Sequence, residues 1–203
     1  MSKVLVLTGL PGSGKSVASE IAESMEIPII IMGNVIRRET AERGLEPNSE
    51  NIGMVATNLR ETYGDDVVLQ RIWPLISEEL KNNNLVLIDG MRSIAEKNAL
   101  VELMGFEPEI LAILASEDIR NARLIERKRS DDVNLKLTKN ERKLTIEINE
   151  EKNHAISERD IREKGWGVES LIEQAKYKIE NQDSVDSFRI RVKALLERLK
   201  NHD

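Results

Sequence analysis

Gly9-Leu10-Pro11-Gly12-Ser13-Gly14-Lys15-Ser16 fits the spacing G-x-x-x-x-G-K-[ST], and each residue type has a chemical reason to stand where it does. Glycines let the backbone curl until successive N–H groups point at phosphate oxygens. A helix opening at Lys15 adds its positive dipole end. Lys15 brings a fixed charge to the β- and γ-phosphates of a nucleotide, and the Ser16 hydroxyl is a ligand for Mg²⁺. Such an ion needs a second anchor. Leu85-Val86-Leu87-Ile88-Asp89 offers one: four apolar residues, then a carboxylate at a strand end, where α/β proteins bind ligands. Ser16 and Asp89 are therefore the expected metal pair.

Phosphoryl transfer also needs positive charge around donor and acceptor, and the planar fork of Arg matches a phosphate. Arg37 ends Gly33-Asn34-Val35-Ile36-Arg37, just past a second apolar run, and Arg92 ends Asp89-Gly90-Met91-Arg92. Arg123 and Arg127, four apart, share a helix face, and Arg159 and Arg162 return at the end of a charge-rich stretch. A GTPase would show [NT]-K-x-D; the nearest string, Thr138-Lys139-Asn140-Glu141, has Glu in place of Asp. The arginines favour a kinase.

These residues must be held by strands and helices. Val4–Thr8, Ile29–Met32, Leu85–Asp89 and Ile110–Ala115 read as strands, with Tyr177–Glu180 a weaker fifth. Uninterrupted apolar runs predict burial on both faces, as in a parallel sheet covered by helices. Val185, Phe188, Val192, Leu195, Leu196 and Leu199 recur at helical spacing after Asp183 or Ser184, either of which suits a cap. The alternation predicts a three-layer α/β fold in a single domain over 1–203.

Composition narrows the chemistry. The chain has 203 residues, a formal charge of −6 and no cysteine, which excludes disulfides, thiolate metal sites and thiol catalysis. The negative charge argues against a nucleic-acid partner. No apolar run approaches the ~20 residues of a membrane span. The apolar stretch near the amino terminus is shorter than the ~7 residues at which signal-peptide cores begin. A cytoplasmic location is expected. Residues 120–164 hold 13 Lys and Arg against 10 Asp and Glu, an excess of three cations in an acidic chain. That stretch reads either as a solvated helical excursion or as a lid that handles anions, and charge alone does not separate the two. Trp166 is expected to pack in the core, as are Met91 and Met104; His154 and His202 are expected in solvent.

The arrangement resembles nucleoside monophosphate kinases of the adenylate kinase type. Gly33 to Arg37 is similar to their G-D-x-x-R, with Asn34 for Asp, and Asp89-Gly90-Met91-Arg92 to their D-G-[FY]-P-R, one residue shorter and without the Pro. Glu96 stands where those kinases place a base-reading Gln. More closely, the chain resembles an archaeal family of nucleotide-kinase-like P-loop proteins, through GLPGSGKS (9–16), ERGLEPNSENIG (42–53), VLIDGMRS (86–93) and RDIREKGWG (159–167). The stretch from Tyr177 to Phe188 also resembles dephospho-CoA kinases, where a strand leads into an Asn-bearing loop beside adenine. The resemblance implies a P-loop NTPase core with five parallel strands in the order 2-3-1-4-5, an acceptor-binding region at 34–70 and a helical lid at 128–164. It implies ATP with Mg²⁺ and a small-molecule nucleotide acceptor. Gly9 to Ser16 would bind ATP, Arg37, Arg92 and Glu96 the acceptor, and Lys15, Arg92, Arg123, Arg127, Arg159 and Arg162 the transferring group. Two alternatives follow: another small-molecule kinase such as a dephospho-CoA kinase, and an ATP-dependent switch acting on a protein partner.

Overall fold

The computed structural model describes residues 2–126 and 143–201. The elements run β1 (Lys3–Thr8), α1 (Lys15–Ser24), β2 (Ile29–Ile31), α2 (Gly33–Glu42), α3 (Ser49–Tyr63), α4 (Val67–Asn82), β3 (Leu85–Asp89), α5 (Ile94–Met104), β4 (Glu109–Leu114), α6 (Glu117–Glu126), α7 (Lys143–Gly165), α8 (Val168–Gln174), β5 (Tyr177–Glu180) and α9 (Val185–Asn201). The strands form one five-stranded sheet in the order β2-β3-β1-β4-β5, and every pairing is parallel. This is the order the resemblance implied.

Alternation along the strands divides the core into two layers. Val4, Val6, Val86, Ile88 and Ile110 pack with α3, α4 and α5 on one face. Leu5, Leu7, Leu87, Leu111 and Ile113 pack with α1 and α9 on the other. Central strands buried on both sides explain the continuous apolar runs. β5 is an edge strand: Tyr177 and Ile179 are half-buried and alternate with exposed residues, which is why its signal was weaker. The α9 face is as expected from Phe188 to Leu199, and Ser187 N–H donates to Ser184 Oγ at 3.2 Å, so Ser184 is the cap. Val185 departs from that face: it is exposed at the helix start. Met91 is buried, Met104 is half-buried against the first layer, and His154 is exposed. No helix among the described residues is long and apolar enough to cross a membrane.

Of the stretch expected to form a lid, 128–142 lies outside the described residues, as do Arg127, Thr138 to Glu141 and His202. The rest forms most of α7.

Candidate functional site

The turn between β1 and α1 takes its shape from glycine. Gly9, Gly12 and Gly14 have φ of +140°, +78° and +110°. A Cβ would lie 2.4 Å from the Ile113 carbonyl oxygen at Gly9, 2.6 Å from that of Arg120 at Gly12, and 2.1 Å from Asn181 Nδ2 at Gly14. Conformation and space each exclude a side chain there.

Surrounding side chains grip the loop by its carbonyls. Asn181 Nδ2 donates to Ser13 O at 2.8 Å, and Arg123 Nη2 donates to Asn181 O and Oδ1 at 3.0 and 3.2 Å. Arg120 Nη1 donates to Pro11 O at 3.0 Å, and Arg120 makes two further bonds to the Asp160 carboxylate. Lys15 Nζ lies back on the loop, donating to Gly9 O at 2.5 Å and Leu10 O at 3.1 Å. Ser13 Oγ is buried with no hydrogen-bond partner among the described residues. An orphaned hydroxyl, an ammonium folded over its own loop and the unsatisfied amides that begin α1 make a cradle for an anion.

The cradle opens into a cavity of about 1040 Å³ that also contains Ser16, Asn34, Asp89 and Arg123. Ser16 and Asp89 therefore share one space. Asp89 Oδ2 accepts from Ser19 Oγ at 3.1 Å, one turn beyond Ser16 on α1. Val185 and Phe188, at the start of α9, give the cavity an apolar edge.

A second compartment lies beside the first, under α2, α3 and the end of α7. Ile36, Ile52, Ala56 and Trp166 form its apolar part. Arg37, Arg60, Arg92, Arg159 and Arg162 also face it. Gly33, Arg37, Gly90, Arg92 and Arg159 line both spaces, so three of the arginines stand at their junction. Arg37 Nη1 donates to Asn34 Oδ1 at 2.7 Å. The buried Glu163 carboxylate pairs with Arg92 and accepts from Arg159 Nε at 3.1 Å. Burial, with Arg159 and Arg60 close by, pulls the Arg92 guanidinium well below its usual range. The junction is a concentration of positive charge.

Glu96 stands at the wall of this compartment, and its oxygens are engaged. Oε1 accepts from Arg60 Nη2 at 2.9 Å; Oε2 accepts from the N–H groups of Arg92 and Ser93 at 2.8 and 3.2 Å. Ser93 Oγ in turn accepts from Glu96 N at 3.0 Å, a capping box that starts α5. Burial raises the Glu96 pKa, against the pull of Arg60. In this arrangement Glu96 positions Arg60 and the Arg92 backbone.

Of the arginines expected to surround a transferring group, Arg92 and Arg159 meet at the junction and Arg123 holds the phosphate loop. Arg162 faces only the second compartment, beside Trp166. Trp166 is half-buried: it packs against the first core layer, and Arg60 Cζ lies 4.2 Å from its ring centroid. Glu163, a single carboxylate, pairs with both Arg92 and Arg159 and so offsets one of their two charges. Reading the sequence missed Ser19, Arg60, Arg120, Asp160, Glu163 and the Asn181 contact to Ser13. Only the helical spacing of Arg159 to Glu163 hinted at any of these pairings.

Comparison with known proteins gives consistent results. A family model described as an AAA domain matches residues 8–139. A UPF0200 protein of Methanosarcina acetivorans is 40% identical over 93% of this chain and 91% of its own length. A UPF0200 protein of Hyperthermus butylicus is 36% identical over 97% of this chain and 94% of its own. A UPF0200/UPF0201 protein of Archaeoglobus fulgidus is 38% identical over 97% of this chain, which spans 56% of that longer protein. The crystal structure of TT1252 from Thermus thermophilus superposes with a TM-score of 0.60 at 20% identity, covering 98% of each chain, a likeness of fold.

Proposed function

The chain belongs to the UPF0200 family, and from that premise we propose that it is an ATP-dependent phosphotransferase whose acceptor is a phosphorylated small molecule of nucleotide type, a nucleoside monophosphate foremost. The observation that carries this reading is the meeting of two compartments at Arg37, Arg92 and Arg159. A switch that only hydrolyses ATP needs the phosphate loop and access for water. It has no use for a second walled compartment whose arginines open onto that loop.

The residues divide the work as follows. The loop from Gly9 to Ser16 binds the ATP phosphates, with Lys15 turning from its own carbonyls to the β- and γ-oxygens. Arg37, Arg92 and Arg159 hold the acceptor phosphate and draw it toward the γ-phosphorus. An acceptor oxygen bonds to that phosphorus, the bond to the β–γ bridging oxygen breaks, and ADP leaves. A phosphate dianion has no proton to lose, so no general base is required. Catalysis is positioning and charge, and guanidiniums at the junction face the equatorial oxygens where charge spreads.

Ser16 and Asp89 fit Mg²⁺, since both offer hard oxygen donors to one cavity. Among the described residues no group of three or more His, Cys, Asp or Glu stands ready for a metal. The ion would complete its shell with phosphate oxygens and water, as Mg²⁺ ordinarily does. When bound, it neutralises charge on the β- and γ-phosphates. Ser19 keeps the Asp89 carboxylate oriented.

The test is a transfer assay with γ-labelled ATP and a panel of nucleoside monophosphates, dephospho-CoA and smaller phosphate esters. We expect label on at least one phosphorylated acceptor, lost in Arg92→Ala. Slow ATP hydrolysis indifferent to every acceptor would sink the proposal and favour the switch.

A further inference from the structure

The phosphate loop is held from behind by two residues that line neither compartment. Arg120 on α6 and Asp160 on α7 are both buried, outside the phosphate-loop cavity and outside the space beside it. Arg120 Nη1 donates to Pro11 O at 3.0 Å, and the Asp160 carboxylate receives both ends of the guanidinium at 3.1 and 2.6 Å. A fork paired at both ends has its orientation fixed. The α6 backbone stands against the same point of the loop. A Cβ on Gly12 would lie 2.6 Å from Arg120 O and 3.0 Å from Arg120 Cα.

What these contacts fix is a peptide plane. The Pro11 carbonyl and the Gly12 N–H belong to one trans peptide unit and point in opposite directions. With the carbonyl turned onto Arg120, the N–H is turned away from α6, and Gly12 lines the phosphate-loop cavity. Among the described residues the Gly12 N–H has no acceptor. The same device recurs two residues on. Asn181 Nδ2 takes Ser13 O at 2.8 Å, and the Gly14 N–H opposite it also has no acceptor among the described residues. Arg120 affects strength as well as aim. A carbonyl that accepts from a guanidinium polarises its peptide and makes the N–H at the other end a better donor. With Asp160 the pair is neutral as a whole, so it adds little long-range attraction for an anion.

We propose that Arg120 and Asp160 are positioning residues for the nucleotide phosphates: Arg120 aims and polarises the Gly12 N–H toward a phosphate oxygen, and Asp160 keeps Arg120 in that orientation. The proposal rests on the reading of residues 9–16 as the phosphate-binding loop. It holds whether the bound nucleotide gives its phosphoryl group to an acceptor or to water.

Calorimetry with ATP and Mg²⁺ on the full chain, run beside urea denaturation, tests it. Arg120→Met with Asp160→Leu removes the pair together with its desolvation cost, so stability should stay near that of the unmutated chain. ATP should nevertheless bind about tenfold or more weakly, the scale of one hydrogen bond to a charged group. Arg120→Lys keeps a cation beside Asp160 without the fork; it should fold and lose a similar factor. A spectroscopic signature separates aim from fold. On adding ATP and Mg²⁺ the Gly12 amide proton should move downfield in the unmutated chain and much less in either variant. An ATP affinity within about twofold of the unmutated chain in a folded variant, or the full Gly12 shift retained there, makes the pair structural alone and overturns the proposal. Failure of both variants to fold does the same. Lys15→Ala tests the reading beneath it. If that variant binds ATP undiminished, the phosphate loop and the positioning role fall together. If it binds ATP weakly while the Arg120 variants bind it fully, only the positioning role falls.

Discussion

Arg120 and Asp160 are joined by two hydrogen bonds, of 3.1 and 2.6 Å, in a pair that is buried on both sides. The same guanidinium donates to the Pro11 carbonyl. One side chain thus fastens the phosphate loop to the turn of α7 that carries Arg159, Arg162 and Glu163. The two compartments are held in register by this link. It also means that the end of the stretch expected to form a lid is anchored on the core.

Asp160→Ala should therefore cost about 3–5 kcal/mol, because it leaves the buried Arg120 charge without a partner. Urea denaturation would measure it. Replacing both residues, Arg120→Met with Asp160→Leu, should recover most of that loss, since the desolvation cost of the pair disappears with the pair. A single-variant loss under about 1 kcal/mol would mean that water already compensates the charge, as at surface ion pairs.

Lys15→Ala should leave the fold intact: the bonds from its Nζ to Gly9 O and Leu10 O lie within its own loop. ATP affinity should drop about ten- to a hundredfold, the worth of one charge-assisted phosphate contact. Calorimetry with ATP and Mg²⁺ checks it. Unchanged affinity in a folded variant would remove the phosphate loop from the proposed reaction.

Arg37→Ala separates the two sites. Its hydrogen bond to Asn34 is exposed, so losing that bond should cost little stability. Acceptor binding should weaken about tenfold or more while ATP alone binds as before. The opposite pattern, ATP lost and acceptor unaffected, would exchange the roles of the compartments.

Gly53→Ala sets helix propensity against space. Alanine in the interior of α3 favours the helix by about 1 kcal/mol. The new methyl must displace the Arg162 guanidinium, 2.7 Å away. The two effects should nearly cancel in stability and leave a loss in acceptor binding. Thermal melting and acceptor titration together test this. A variant stabilised by ~1 kcal/mol with full acceptor binding would show that Arg162 moves aside at no functional cost.

The phosphate loop, the strands and the αβ alternation were legible in the sequence because each is a local pattern. Eight consecutive residues hold the loop's chemistry, and a strand buried on both faces must be a continuous apolar run. Arg37, Arg92 and Asp89 were legible for a related reason: each follows a strand, and strand ends in a parallel sheet converge on one edge. The pairings that set what those groups do are not local. Arg60 meets Glu96 across 36 positions, Arg120 meets Asp160 across 40 and Pro11 across 109. Nothing in residue spacing says which carboxylate will neutralise which arginine, because that depends on helices packing over the sheet. Only the tertiary structure decided that Glu163 meets both Arg92 and Arg159, that Glu96 takes Arg60, and that Arg162 is set beside Trp166.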